Sequence, residues 1–210
     1  MNDNITLVHA DAALVVVDKP AGLHCVPGRG ALASGSLAER VQRRWADARV
    51  VHRLDMDTSG LVAFARGAAA QRALAIAFAA RRVAKRYQAV VAGLVAADEG
   101  TIELPLAADW PRRPRQRVDF ERGKASLTRW RVLGRDAAAA RTLLQLEPVT
   151  GRTHQLRVHL AAFGHPIVGD RLYAPEQDAP RLLLHARALA FVHPAEGTPL
   201  ELESPTPFAL

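Results

Sequence analysis

The densest run of polar groups in the chain is Val51-His52-Arg53-Leu54-Asp55-Met56-Asp57-Thr58-Ser59-Gly60, lodged between two stretches that read as strands. A short polar loop held between buried strands is where a rigid scaffold places reactive groups. The same residues could also close an Asx or Ser/Thr turn, with Asp55, Asp57, Thr58 and Ser59 satisfying local amides, and Asp57 is assigned to that turn. A second cluster, Thr150-Gly151-Arg152-Thr153-His154-Gln155-Leu156-Arg157-Val158-His159-Leu160, opens a helix that Thr153 would cap, with Leu156 and Leu160 on its apolar side. His154 and Arg157 are three apart and would share a face. Basic side chains are disfavoured at the positive end of a helix, so their presence there calls for an anionic partner, such as a buried carboxylate.

The third feature is Asp109-Trp110-Pro111-Arg112-Arg113-Pro114-Arg115-Gln116-Arg117, in which Arg112, Arg113, Arg115 and Arg117 surround two prolines and follow a tryptophan. The prolines are expected to keep this stretch extended, so that its guanidinium groups track a phosphate backbone or enter an RNA groove. A solvated basic loop is the alternative. Arg81, Arg82, Lys85 and Arg86 form another basic run, which reads more simply as a helix end.

Two other chemistries fit poorly. His154 and His159 are five apart and His159 and His165 six, not the four that puts two ligands on one helical face, and no carboxylate cluster accompanies them, so no metal site is expected. His52-Arg53-Leu54-Asp55 is not a kinase H-R-D loop, because Leu54 interrupts it and neither a glycine-rich phosphate loop nor D-F-G is present. The single cysteine, Cys25, offers neither an internal disulfide nor half of a zinc site.

These clusters need elements to hold them. Ala13 to Val17 is a β-branched run closed by Asp18-Lys19-Pro20-Ala21-Gly22. Ser36-Leu37-Ala38-Glu39 has capping-box spacing and opens a helix carrying Leu37, Val41 and Trp45. Leu61 to Ala65 reads as a buried strand, Gly67 to Arg82 as a helix and Lys85 to Val95 as the next strand. Further strands are predicted at Ala125 to Leu133 and Thr142 to Leu146, a short helix from His154 to Phe163, and a hairpin-like pair within Leu182 to Val192. Strands outnumber helices and run in hairpin order, which gives an α+β class with a mainly antiparallel sheet.

Composition sets the limits. With 210 residues, 49% hydrophobic and 23% charged, the chain suits one globular domain, or two lobes sharing a sheet, with no need of metal or disulfide staples. No apolar stretch approaches the roughly 20 residues that span a bilayer, and the N-terminus lacks a cleavable signal pattern, so a cytoplasmic protein without membrane contact is expected. Twenty-eight basic against 21 acidic residues give a net charge of +7, the balance of a surface that binds a polyanion. Only Lys19, Lys85 and Lys124 are lysines; guanidinium suits phosphate oxygens and stacks on bases, although an arginine-rich genome, with alanine abundant too, equally accounts for the choice of arginine over lysine.

His52 to Gly60 resembles the H-R-L-D-x-x-T-S-G signature of the RluA family of pseudouridine synthases. Lys19-Pro20-Ala21-Gly22-Leu23 is similar to that family's early K-P-x-G motif, Lys85-Arg86-Tyr87 to its K-x-Y motif, and Gly151 to Gly169 to its G-R-T-H-Q-L-R-V-H…G-H-P-I-x-G-D segment. The four motifs, in order, span roughly residues 13 to 195. The resemblance implies a pseudouridine synthase fold: a central, mostly antiparallel mixed sheet with flanking helices and a catalytic cleft. It also implies a single catalytic domain over residues 1–210 with no N-terminal S4 domain, read as a monomer. The compact family members that the chain most resembles modify uridine 32 in the anticodon loop of certain tRNAs and uridine 746 of 23S ribosomal RNA.

Carried over by motif, Asp55 matches the family's essential aspartate, Tyr87 its active-site tyrosine, Arg157 the arginine that pairs with the aspartate, and Arg53 a residue filling the space that the flipped base vacates. The isomerisation breaks the N1–C1′ bond and rejoins uracil through C5 with nothing gained or lost, so no cofactor is expected. The carboxylate could add to C1′ or remove a proton from C2′, and the sequence leaves both open. The target must leave its stack, at a cost of a few kcal/mol that is least in a loop. A noncatalytic RNA-binding or ribosome-assembly module is the rival reading, opposed by an intact Asp55, Tyr87 and Arg157.

Overall fold

The computed structural model describes residues 5–28 and 35–210. In chain order its elements are β1 (Thr6–Ala10), β2 (Leu14–Lys19), α1 (Leu37–Arg44), β3 (Ala48–Val50), β4 (Ser59–Arg66), α2 (Gly67–Ala79), β5 (Ala84–Ala92), β6 (Glu99–Glu103), β7 (Leu106–Ala108), β8 (Gln116–Val118), β9 (Leu127–Asp136), β10 (Arg141–Pro148), α3 (Gln155–Ala162), β11 (Leu184–Val192) and β12 (Pro199–Glu203). The fold is α+β, as expected. The chain divides into two units, Met1–Lys85 with Ala186–Pro205, and Arg86–His185 with Thr206–Leu210. No helix among the described residues is long and apolar enough to cross a membrane.

In the first unit, β2 pairs antiparallel with β1 and with β4, and β3 adds to β4. The run Leu14-Val15-Val16-Val17 lacks polar alternation because both of its faces are covered: all four residues are buried, as are Leu61 to Ala65 opposite them. Leu14, Val16, Leu61 and Ala63 share a cluster with Ala70 and Leu74 of α2. Ahead of β3, α1 begins at the predicted capping box, with Ser36 accepting from the Glu39 N–H and Glu39 accepting from the Ser36 N–H. Later in the chain β11 pairs with β12. The hairpin predicted within Leu182 to Val192 is therefore a single strand, and its partner lies beyond the turn at 193–198. Arg187, within β11, reaches the Ser204 carbonyl and Glu203.

In the second unit, β10 pairs antiparallel with β5 on one side and β9 on the other, and β6 adds to β9. Helix α3 covers one face, burying Leu156 and Leu160 against Ala89, Leu144, Leu146 and Trp130. Beside this sheet stands a separate two-stranded ribbon of β7 and β8. It contains the arginine-rich segment, which is not extended throughout: only its end, at Gln116 and Arg117, lies in strand β8. Trp110–Arg112 form a 3-10 turn with Pro111 near its start, where a fixed φ favours such a turn.

Gly60, the last residue of the polar loop motif, has φ +114, and a Cβ there would lie 2.4 Å from the Ala186 carbonyl oxygen. Only glycine lets β4 pass this close to β11. Gly60→Ala is expected to cost about 3 kcal/mol, through backbone strain and forced separation of the strands. Urea unfolding of the variant beside the unsubstituted chain checks it, and an unchanged midpoint would contradict the packing described.

Candidate active site

Asp55 sits, half-buried, in the loop between β3 and β4, and two fastenings fix that loop. The first is His52, whose Nε2 accepts the Ala63 N–H at 2.9 Å and whose ring stacks on Phe78 of α2 with centroids 4.6 Å apart. An acceptor nitrogen must be unprotonated, and burial, aided by the charge of Lys85, pushes the His52 imidazolium down to about 3. The ring is thus neutral at physiological pH, and the fastening holds throughout that range. The second is Lys19, wholly buried, whose Nζ donates to the carbonyls of Pro20, Leu23 and Met56 at 2.8–2.9 Å. Gly22 N–H donates to the same Met56 carbonyl. The K-P-x-G motif thereby grips the residue next to Asp55.

Within the loop, Leu54 is buried while Arg53 and Met56 are exposed. The Asp55 carbonyl accepts from Thr58 N–H, closing the turn through the backbone. Among the described residues the Asp57 carboxylate takes no part in closing it, contrary to the Asx-turn assignment; Thr58 and Ser59 are buried.

Arg157, on α3, is 3% exposed and forks onto Asp170, with Nε to Oδ2 at 2.7 Å and Nη2 to Oδ1 at 2.8 Å. Asp170 is just as buried, and its Oδ1 also accepts from the Leu172 and Tyr173 amides. The anionic partner that the sequence demanded is therefore present in the same unit. Gly169 sets the approach: a Cβ there would fall 2.0 Å from the Arg181 carbonyl oxygen. His154 adopts the left-handed conformation with φ 53 and occupies the N-cap position of α3, without a side-chain capping bond to the helix, so Thr153 is not the cap. The Gln155 side chain instead fixes the loop ahead of the helix to β9, accepting from Thr150 Oγ1 and Arg152 N–H and donating to Leu127 O and Thr128 Oγ1. His159 donates to the Leu104 carbonyl and accepts from Thr128, and burial depresses its pKa, so it is a neutral structural group. Tyr87, on β5 opposite Leu146, is half-buried against the cluster beneath α3.

Tyr173 links this helix to the arginine-rich ribbon. Its hydroxyl accepts from Gln116 N–H and bonds His154 Nδ1, both at 2.8 Å, and its ring lies under the guanidinium groups of Arg157 and Arg115. The four arginines of the ribbon are not alike. Arg112 is paired with buried Asp109 at 2.8 Å and Arg117 with Asp119 at 2.7 Å. Arg113 lies over the Trp110 ring, 3.3 Å from its centroid.

Residues 13–162 match the family model of the RNA pseudouridylate synthases. The chain belongs to that family. It is 45% identical over 207 residues to the dual-specificity RNA pseudouridine synthase RluA of Pasteurella multocida (strain Pm70), covering 97% of this chain and 94% of the relative. It is 46% identical over 208 residues to the protein of that name from Escherichia coli (strain K12), with the same coverage. Among solved structures, human RNA Pseudouridylate Synthase Domain Containing 1 matches with a TM-score of 0.82 and 32% identity, covering 99% of this chain and 85% of that one. Human RNA Pseudouridylate Synthase Domain Containing 4 matches with a TM-score of 0.77 and 25% identity, covering 96% and 88%.

For this pseudouridylate synthase, the first unit holds Arg53 and Asp55, and the second holds Tyr87, Arg157 and the four ribbon arginines. The residues that sequence reasoning missed are Asp170 and Tyr173. Asp170 was within reach, since it ends the G-H-P-I-x-G-D run that accompanies Arg157, whereas nothing local marks Tyr173.

One cluster among the described residues has metal-ligand composition, His9, Asp11 and His193. Its chemistry is that of a hydrogen-bonded clamp. The Glu196 N–H donates to His193 Nδ1, so the proton of that ring sits on Nε2 and points to Asp11 Oδ2, leaving no lone pair for an ion. Burial opposes ionisation of Asp11, but hydrogen bonds from Ala13, His9, His193 and Leu14 outweigh it and hold the carboxyl at about 2.

Arg157→Met leaves Asp170 buried without its counter-charge, and the loss of stability is expected to be about 3–5 kcal/mol. Adding Asp170→Asn should recover part of it. A urea-unfolding cycle of the two single variants and the double variant measures the coupling, and purely additive effects would contradict a mutually dependent pair.

Proposed function

We propose that this chain isomerises uridine to pseudouridine in structured RNA loops with Asp55 as the catalytic carboxylate, and that its substrates include a tRNA anticodon loop and 23S ribosomal RNA. The observation that carries the assignment is the seat of Asp55: a carboxylate on a loop whose next carbonyl is gripped by a buried ammonium and whose first residue is bonded to β4. Such fixing holds a reactive group in its productive geometry without cost at the moment of reaction. RNA as the partner class is supported by the relatives and by the charge of +7.

In the reaction, the N1–C1′ bond breaks while Asp55 either adds to C1′ or takes the C2′ proton. Uracil turns, the C5–C1′ bond forms, the C5 proton departs and N1 gains a proton, so atoms balance without a cofactor. Tyr87 is assigned to the detached uracil, by stacking and by taking part in loss of the C5 proton. Arg157 is assigned to keeping Asp55 ionised, and Arg53 to the space that the flipped base vacates. We place the protein in the cytoplasm, acting as a monomer.

Asp55→Asn preserves size while removing the charge. Tritium release from C5-labelled uridine in an anticodon stem-loop RNA should fall to background while RNA binding persists, and turnover above a few percent of the unsubstituted enzyme would sink the assignment.

The ribbon gives a second test. Arg113 and Arg115 have no carboxylate partner among the described residues, whereas Arg112 and Arg117 do. If the unpaired arginines contact phosphates, Arg113→Gln/Arg115→Gln should weaken RNA binding and flatten the plot of log affinity against log salt by about 0.7–0.9 per lost contact. Unchanged affinity and slope would move the RNA path elsewhere, to Arg81–Arg86.

A further inference from the structure

Trp110 and Phe120 are the two most exposed large apolar side chains among the described residues, at 69% and 77%, and both belong to the β7–β8 ribbon. A single exposed apolar side chain is ordinary. Trp110 differs because its surroundings are built. It begins a 3-10 turn whose next residue is Pro111, so its backbone is held. The Arg112 side chain, anchored on buried Asp109, fastens the same turn from within, and the Asp109 N–H closes it onto the Arg115 carbonyl. The guanidinium of Arg113 lies over the indole, fixing its plane and covering one face. The opposite face is what the exposure of Trp110 leaves open.

We infer that the open face of the Trp110 indole is a stacking site for one unpaired nucleobase of the RNA substrate, with Arg113 and Arg115 as the charges for the adjoining phosphates. The inference rests on the RNA-modifying reading above and adds to it a binding residue with a defined preference for nucleotides outside a duplex. Three features favour this occupant over an acidic protein segment. The indole offers one flat π surface whose chain neighbours Arg112 and Arg113 are exposed cations. The cation behind that surface serves a guanidinium–indole–base stack. The unneutralised arginines are the two that flank aromatic rings, while the outer two are spent on Asp109 and Asp119. An aromatic platform within a basic surface is the usual recipe for holding single-stranded nucleic acid, and each base stack lost costs about 1–3 kcal/mol, or about 5- to 150-fold in affinity.

The test uses the full chain, an anticodon stem-loop RNA and a blunt duplex in which the same loop sequence is paired. Trp110→Leu keeps apolar bulk and removes the π face; Trp110→Phe keeps a smaller one. Trp110→Leu should weaken stem-loop binding about tenfold, leave duplex binding and the salt slope unchanged, and Trp110→Phe should recover part of the loss. In the unsubstituted protein, stem-loop RNA should also protect from iodide the fraction of tryptophan fluorescence that Trp110→Phe abolishes. The inference is overturned if Trp110→Leu binds the stem-loop as tightly as an unsubstituted enzyme that modifies it. It is overturned equally if both RNAs lose affinity with the flattened salt slope of Arg113→Gln, because Trp110 would then only be positioning that arginine. An unsubstituted protein that neither binds nor modifies RNA would instead refute the reading on which the inference rests.

Discussion

A buried ammonium is an expensive thing to put into a protein, and three backbone carbonyl oxygens that accept from Lys19 help to make it tolerable. The constraint runs both ways. Pro20, Leu23 and Met56 belong to two segments far apart in sequence, and their carbonyls can converge on one nitrogen only if the turn after β2 and the loop before β4 take one arrangement. The position of Asp55 depends on that convergence together with the His52 fastening of its own loop. It explains physically why a K-P-x-G run accompanies H-R-L-D in this chain: one supplies the clasp and the other the part that is clasped.

The second unit solves a similar problem with opposite chemistry. Arg157 and Asp170 are both withdrawn from water, and the desolvation of such a pair is repaid only by good geometry and by satisfaction of the remaining groups. Here the fork is bidentate, and the outer oxygen of Asp170 is shared with two backbone amides. Tyr173 then ties this rigid point to the arginine-rich ribbon through its hydroxyl and its ring. A strongly basic composition is therefore not a uniform coat. Several of the cations are internal fasteners, and those left for a polyanion are fewer than the count suggests.

Much of the fold could be read before the structure because its central elements obey strong local rules. The unalternating valines of β2, the apolar run of β4 and the Ser36–Glu39 box each have essentially one interpretation. The short strands β3, β6, β7 and β8 do not, since three to five residues with mixed exposure carry little periodic signal, and β1 presents exposed Thr6, Leu7 and Ala10. Thr153 reads as a cap because threonine prefers that position, but the neighbouring His154 takes the left-handed turn at the N-cap and no side chain caps the first amides of α3. For the site, motifs alone nominate Asp55, Tyr87 and Arg157 as candidates, whereas the sorting of the ribbon arginines depends on Asp109 and Asp119, which bracket them without any motif of their own. Tyr173 was invisible, for the partners described for its side chain come from two distant stretches, Arg115–Gln116 and His154–Arg157.

The seclusion of Lys19 also bears on how this protein can be chemically handled. Of its three lysines, Lys19 has its amine enclosed and Lys85 is half-buried, with burial and nearby Arg81 depressing its pKa, while Lys124 is exposed. The arginines that make the chain so basic do not react with acylating reagents. An active ester used near neutral pH would meet at most two side-chain amines besides the α-amine: exposed Lys124 and half-buried Lys85, whose depressed pKa leaves more of it as the nucleophilic free amine. Attachment is therefore confined to a few points on a protein whose charge suggests dozens.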